Sequence, residues 1–105
     1  MVIESKKDLV VTDEDKYQVV LENERVRALS YHDKPGEKTT QHAHPDYVMV
    51  AESSFKRRLI FPDSQKREVD VKAGSVLWVK AHTHIGENIG GTNTDAILVE
   101  LKEEL

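Results

Sequence analysis

Two histidines separated by a single residue, His42 and His44, are the side chains whose type and spacing best suit chemistry in this sequence. Successive side chains of an extended strand point to opposite faces, so residues two apart point to the same face. If this stretch is a strand, the two imidazoles therefore lie close enough together to bind one ion. A metal site is the first hypothesis, whereas the sequence says little about the molecule that reacts or binds there.

The composition limits the kind of site that the chain can form. It contains no cysteine, so thiolate ligands and disulfides are excluded, and any metal is held by nitrogen and oxygen. The formal net charge of -4 at pH 7 argues against nucleic acid, whose phosphates require a basic excess. No segment approaches the roughly 20 apolar residues of a membrane helix, and no targeting signal is visible. We expect a soluble cytoplasmic protein whose partner is a small molecule, not nucleic acid or a membrane.

Short alternating segments, separated by turn residues, run through most of the chain from Tyr17 onward. There are about eight of them at spacings of roughly 8 to 12 residues, and no long helical stripe intervenes. One turn, at Pro35 and Gly36, leads directly into the histidine segment. The sequence therefore predicts an all-β single domain, a closed barrel or a two-sheet jelly roll, with a site in its mouth.

The same pattern gives more local expectations. Residues 1–15 form an arm that adds at most one strand and holds no chemistry, and residues 16–105 form the domain. A nearly continuous apolar strand over residues 75–80 carries Trp78, and a loop over residues 81–83 precedes His84. The strand arginines Arg25, Arg27 and Arg57 are expected to be solvated, although they would meet an anionic substrate if they face inward.

Two motifs in this sequence resemble those of the small single-domain cupins. The first cupin motif is Gly, five residues, His, one residue, His, then three or four residues and Glu. The second is Gly, five residues, Pro, one residue, Gly, two residues, His, three residues and Asn. The residues that match are Gly36, His42, His44, Gly74, His84 and Asn88. The similarity covers about residues 17–102, and it implies a cupin jelly-roll β-barrel.

The chain departs from the cupin motifs at informative places. Val48 and Met49 stand where the first motif has its Glu, so the acidic ligand is missing. Lys80 replaces the Pro of the second motif, His82 stands near its Gly, and one residue is deleted before His84. The spacing to Asn88 favours His84 over His82 as the ligand.

The resemblance implies that His42, His44 and His84 bind one divalent metal ion and that the protein forms a homodimer. Imidazole suits iron, zinc and nickel alike, so the ligands do not choose the metal. Three neutral ligands leave the full positive charge of the ion and open coordination positions. Among cupins, three-histidine iron sites resemble those of the thiol dioxygenases and the β-diketone-cleaving dioxygenase. We therefore expect a metal-binding cupin, with an iron-dependent dioxygenase of a small anionic or enolisable molecule as the enzymatic form.

Several alternatives remain open at this point. His82 and Asp46 are candidate additional ligands. Tyr47 is either a core aromatic or a candidate catalytic residue that donates a hydrogen bond to a bound molecule. The main functional alternative is a non-catalytic ligand-binding or sensing cupin with a structural metal. A barrel that has lost its metal and a sugar isomerase are further alternatives, the latter weakened by the missing Glu.

Overall fold

The computed structural model describes residues 12–102, and nearly all of this part is extended. The strands are β1 (Tyr17–Glu22), β2 (Val26–Asp33), β3 (His42–His44), β4 (Tyr47–Ala51), β5 (Phe55–Ile60), β6 (Lys66–Val71), β7 (Val76–Val79), β8 (His82–Asn88) and β9 (Thr94–Leu101). The prediction of an all-β domain is confirmed. No helix in the described part has the length and apolarity needed to cross a membrane.

The strands form two antiparallel sheets that make up the jelly-roll barrel. The five-stranded sheet has the order β1-β2-β9-β4-β7, and the four-stranded sheet has the order β3-β8-β5-β6. β9 lies at the centre of the larger sheet, where its side chains alternate strictly between buried and half-buried positions. This alternation fixes the register, since a slip of one residue would exchange its two faces.

The hydrophobic core lies against the inner face of the larger sheet. Its main cluster contains Tyr17, Leu29, Tyr31, Tyr47, Ala96 and Leu98. Three of these residues are tyrosines, so the core has polar hydroxyl groups as well as apolar surface. The interior is consequently suited to a site that needs hydrogen-bonding groups next to apolar surface.

Gly36 occupies the turn that leads into the histidine strand, as the sequence predicts. Its φ is +87°, in the left-handed region where residues with a Cβ are strained. The Gly36 N–H donates to the Asn88 carbonyl oxygen over 2.9 Å, which ties the turn to the end of β8. This hydrogen bond therefore helps to hold β3, which carries His42 and His44, next to β8, which carries His84.

One local expectation is wrong. Residues 82 and 83 belong to β8 and not to a loop, because they pair with His44 and Ala43 of β3 and extend the ladder. The predicted apolar strand around Trp78 is β7, an edge strand on which both Val76 and Trp78 are exposed. β8 also raises the number of strands in the described part above the eight that the turn signals indicate.

The predicted boundary between an arm (1–15) and the domain (16–105) stays a prediction. Residues 1–11 and 103–105 lie outside the described part of the chain. Residues 13–16 form a turn in which the Asp13 carbonyl oxygen accepts from the N–H groups of Lys16 and Tyr17.

Candidate metal centre

The pairing of β3 with β8 brings the histidines together. His42 lies directly opposite His84, and His44 lies opposite His82. Directly opposed residues of an antiparallel pair have Cβ atoms about 5 Å apart, close enough for their side chains to meet. His42, His44 and His84 are buried, whereas Ala43 between the first two is exposed. The alternation of β3 thus turns both of its histidines inward, where His84 joins them.

The three imidazoles converge through their Nε2 atoms. His84 Nε2 lies 3.1 Å from His42 Nε2 and 3.3 Å from His44 Nε2. Bonds of about 2.1 Å from three nitrogens to one ion place neighbouring nitrogens about 3 Å apart, so this spacing suits a shared cation. Among the described residues, His42, His44 and His84 form the group of candidate ligands able to share one ion. The site can therefore take a divalent metal through three neutral imidazoles.

Each imidazole also has a different polar group next to its Nδ1 atom. His42 Nδ1 lies 3.0 Å from Asp13 Oδ2, and His44 Nδ1 lies 3.5 Å from Glu100 Oε2. The third ring, His84, has its Nδ1 2.9 Å from Nε2 of His82. Ligating histidines characteristically use their second nitrogen in this way, which fixes the ring and its tautomer. Both the converging Nε2 atoms and the polar groups beside the Nδ1 atoms therefore suit a metal centre.

The electrostatics of the cluster keep two of its rings, His42 and His84, neutral. Burial holds the pKa of His84 far below its usual range, and the neighbouring imidazoles, His44 first, lower it further. Burial also lowers the pKa of His42, although the hydrogen bond to Asp13 offsets part of this effect. Neutral imidazole is the form that binds a metal. At neutral pH His42 and His84 are therefore ready to bind an ion without first losing protons.

Comparison with solved structures identifies the fold. A cupin domain from Bordetella pertussis Tohama I superposes with a TM-score of 0.75 at 25% identity, over 83% of this chain and 92% of that one. This chain has the fold of the small cupins. A double-stranded β-helix protein from Klebsiella pneumoniae matches at 20% identity over 96% and 89% of the two chains, with a TM-score of 0.64.

The polyketide cyclase RemF from Streptomyces resistomycificus shares the fold at a lower identity. It is 16% identical over 83% of this chain and 64% of its own length, with a TM-score of 0.62. At such an identity the likeness shows the cupin fold alone. No family model and no curated protein sequence matches the chain.

His82 and Asp46, the candidate additional ligands, lie outside the group of three in this cupin. His82 contacts the triad only through His84. Its Nε2 faces His84 Nδ1, and its own Nδ1 lies 2.8 Å from the Lys80 carbonyl oxygen. Asp46 lies in the break between β3 and β4, where its Oδ1 accepts from the Ala81 N–H over 2.8 Å. The carboxylate of Asp46 thus links the β3–β4 connection to Ala81, and the imidazole of His82 contacts the second ring nitrogen of His84.

Tyr47, the candidate catalytic residue, is buried beside the triad. Its ring centroid lies 4.8 Å from that of His44. Burial, followed by the nearby charge of Glu100, raises its pKa well above the usual value for tyrosine. The Tyr47 hydroxyl therefore stays protonated and can donate a hydrogen bond, which is the property that the sequence-based hypothesis requires.

The triad opens onto a cavity of about 290 Å³ within the barrel. Its walls are mainly aromatic and aliphatic, and they include Tyr17, Tyr31, Tyr47, Met49, Phe55, Leu59, Val69, Leu77 and Leu98. Such a space excludes bulk water from the histidines and accommodates a small molecule.

Sequence reasoning missed two acidic residues of this cupin's site, Asp13 and Glu100. The expectation that residues 1–15 hold no chemistry is wrong for Asp13, whose carboxylate lies against His42. It stands in a polar segment without a period, so no local signal marks it. Glu100 did carry a signal, because it is in phase with the buried Ala96 and Leu98 of β9. A carboxylate that points inward from a core strand needs a polar partner, and the Glu100 carboxylate lies beside Arg27 and His44.

Proposed function

We propose that this cupin binds one divalent transition metal ion through Nε2 of His42, His44 and His84, and that the ion acts on a small molecule held in the barrel cavity. The observation that carries the proposal is the convergence of three Nε2 atoms at 3.1 and 3.3 Å. It is reinforced by the polar group beside each Nδ1 atom. Iron, zinc and nickel all suit imidazole ligands.

The enzymatic form of the proposal is an iron-dependent dioxygenase of a small anionic or enolisable molecule. A bound ion would supply uncancelled positive charge and open coordination positions, because the three histidines are neutral ligands. The apolar walls would exclude water and position the molecule's carbon skeleton. Tyr47, protonated and beside His44, would donate a hydrogen bond to the bound molecule.

The second candidate function is ligand binding or sensing with a structural metal and no turnover. It is favoured by the engagement of the acidic groups nearest the triad. Asp13 accepts hydrogen bonds from Thr40 and faces His42, while Glu100 accepts from Arg27 over 2.7 Å. Neither carboxylate is therefore placed as a ready general base for a substrate in the cavity.

Elemental analysis of the untagged protein, beside His84→Ala and His32→Ala, tests the metal site. His32 is an exposed histidine on β2 that pairs with Asp95, so it is a matched control for loss of an imidazole. Near-stoichiometric metal in the wild type and in His32→Ala, but not in His84→Ala, is the expected result. Equal metal content in all three proteins, or none in the wild type, would contradict the proposal.

Oxygen uptake with thiols and β-dicarbonyl compounds then separates the two functions. Iron-dependent consumption that is lost in His84→Ala is expected of the dioxygenase. Saturable binding of a compound, shown by calorimetry without any turnover by the metal-loaded protein, would favour the sensing module.

For a protein partner, we propose a second copy of this chain that packs against β7. The strand is an edge of the larger sheet, paired only with β4 among the described residues, and Val76 is 66% exposed. A twofold axis beside this strand would bury the same apolar side chains of both copies.

A further inference from the structure

We propose that Asp13, in the turn before the first strand, is a positioning residue that fixes the tautomer of His42. The inference rests on the proposed metal-binding function, since a tautomer matters here through the nitrogen that it offers to the ion. Asp13 places the ring proton on Nδ1 and leaves the lone pair of Nε2 facing the other two histidines. The segment before β1 is thereby part of the metal centre.

The Asp13 carboxylate is held in one orientation by the residues around it. It is 2% exposed, and its Oδ1 accepts from the Thr40 N–H over 2.9 Å. Oδ2 accepts from the hydroxyl groups of Thr12 and Thr40 over 2.8 and 3.0 Å, and it faces His42 Nδ1 at 3.0 Å. The Asp13 carbonyl oxygen is bound in turn by Lys16 and Tyr17, so main chain and side chain are both fixed.

This arrangement permits only one tautomer of His42. An ionised carboxylate accepts hydrogen bonds and cannot donate one. A neutral imidazole carries a single N–H, so a proton on Nδ1 leaves Nε2 as the acceptor. Because His42 Nε2 is the atom that converges on His84 Nε2, the nitrogen with the lone pair is the one aimed at the candidate metal position.

Asp13→Asn keeps the shape of the side chain but places a hydrogen-bond donor, instead of an acceptor, next to His42 Nδ1. The Thr40 N–H needs an acceptor, so the amide oxygen takes the place of Oδ1. The amide NH₂ group then takes the place of Oδ2 and donates toward His42 Nδ1. The hydroxyl groups of Thr12 and Thr40 can rotate to accept instead of donating. His42 would respond by moving its proton to Nε2, where it blocks the metal.

The effect on binding follows from this change of tautomer. Loss of the partner of a ligating histidine typically costs about 10- to 100-fold in metal affinity. We expect Asp13→Asn to weaken Zn²⁺ binding by at least the lower figure. Asp15→Asn is the matched control, because Asp15 lies in the same turn with its side chain 70% exposed and paired with Lys16.

Two measurements test the inference on wild type, Asp13→Asn and Asp15→Asn. Long-range ¹H–¹⁵N correlation spectra of the metal-free proteins report the His42 tautomer, and competition with a chromophoric chelator gives the Zn²⁺ affinity. We expect Nδ1–H in wild type and Asp15→Asn, and Nε2–H with weakened binding in Asp13→Asn. An unchanged tautomer and affinity in Asp13→Asn would overturn the inference.

The tautomer spectrum also separates this inference from the proposed function. A wild type that binds no Zn²⁺ but shows the expected tautomers would refute metal binding and leave the role of Asp13 intact. If Asp13→Asn does not fold, the wild-type spectrum alone decides, because Nε2–H on His42 in the metal-free protein would overturn the inference.

Discussion

Arg57 donates from Nη1 to Asp33 Oδ2 over 2.7 Å, and the two side chains are only 9% and 0% exposed. The guanidinium group also donates to the Tyr31 hydroxyl and to Thr94 Oγ1. The expectation that this strand arginine is solvated is therefore wrong, because β5 turns it into the barrel. Its charge is largely neutralised by Asp33, so any anion in the cavity would have to be attracted chiefly by the proposed metal ion.

Removing the partner of this buried arginine should be strongly destabilising. Asp33→Ala leaves the charge of Arg57 buried without its carboxylate, which typically costs about 3–5 kcal/mol. Urea unfolding followed by Trp78 fluorescence would measure the free energy of unfolding. Glu68→Ala is the control, since exposed Glu68 is one of two carboxylate partners of the half-buried Arg58 and its loss should cost less than about 1 kcal/mol. Equal losses in both variants would show that the buried pair has no special weight.

Gly86 of β8 lies against the same guanidinium group. A Cβ at this position would lie 2.8 Å from Arg57 Nη2, closer than real Cβ atoms come to a neighbour. Because Asp33 and Tyr31 hold the guanidinium group, it cannot withdraw without losing hydrogen bonds. We expect Gly86→Ala to lower the free energy of unfolding by about 1–3 kcal/mol, the usual cost of overpacking.

Gly91→Ala is the matched control for Gly86→Ala. A Cβ at Gly91 would meet no atom within 4 Å, and its φ is not in the left-handed region. This variant should therefore unfold within about 0.5 kcal/mol of the wild type, as surface substitutions usually do. If Gly86→Ala behaved in the same way, Arg57 would be free to move and the network would be less rigid than its hydrogen bonds imply.

The strand pattern was predictable from the sequence because it depends on local alternation and turns. His42 and His44 were found together for the same reason, since two residues on one strand need no tertiary information. The contact between Asp13 and His42 spans 29 residues and joins a turn to a distant strand. Such a contact depends on how the sheets close, which alternation does not encode.

The position of Arg57 shows a second limit of sequence reasoning. Arg57 alternates in phase with Phe55 and Leu59 in the sequence, and all three side chains line the cavity in the structure. Whether this inward face could accommodate the charge of Arg57 depends on Asp33, which lies at the end of another strand, β2. The burial of an arginine is settled by its partner, and the partner here is 24 residues away.

Acid should destabilise the metal-free protein through His42 and His84. The pKa of each ring is lowered in the folded protein, so below about pH 6.5 the unfolded chain binds protons that the folded one does not. Stability is therefore retained above this pH and lost as the pH falls below it. The slope is at most about 1.4 kcal/mol per pH unit for each histidine.

Urea unfolding of chelator-treated protein between pH 7.5 and 5.5 would measure this slope. His84→Gln removes one of the two titrating rings and should reduce the slope over the same range. His32→Ala changes an exposed ring that pairs with Asp95 on the surface, and it is the control for a histidine outside the cluster. A free energy of unfolding that rose as the pH fell through this range would contradict the neutral state of the buried rings.

The two edges of the larger sheet offer a test of the proposed homodimer. β7 exposes 66% of Val76, and β1, at the opposite edge, exposes 54% of Val20. If two copies pack through β7, Val76→Lys places two ammonium groups in the interface and should convert the dimer to a monomer. Val20→Lys adds the same charge to the other edge and should leave the dimer intact. Light scattering coupled to size-exclusion chromatography gives the mass of each species, and a dimer lost only in Val20→Lys would place the interface on β1 instead.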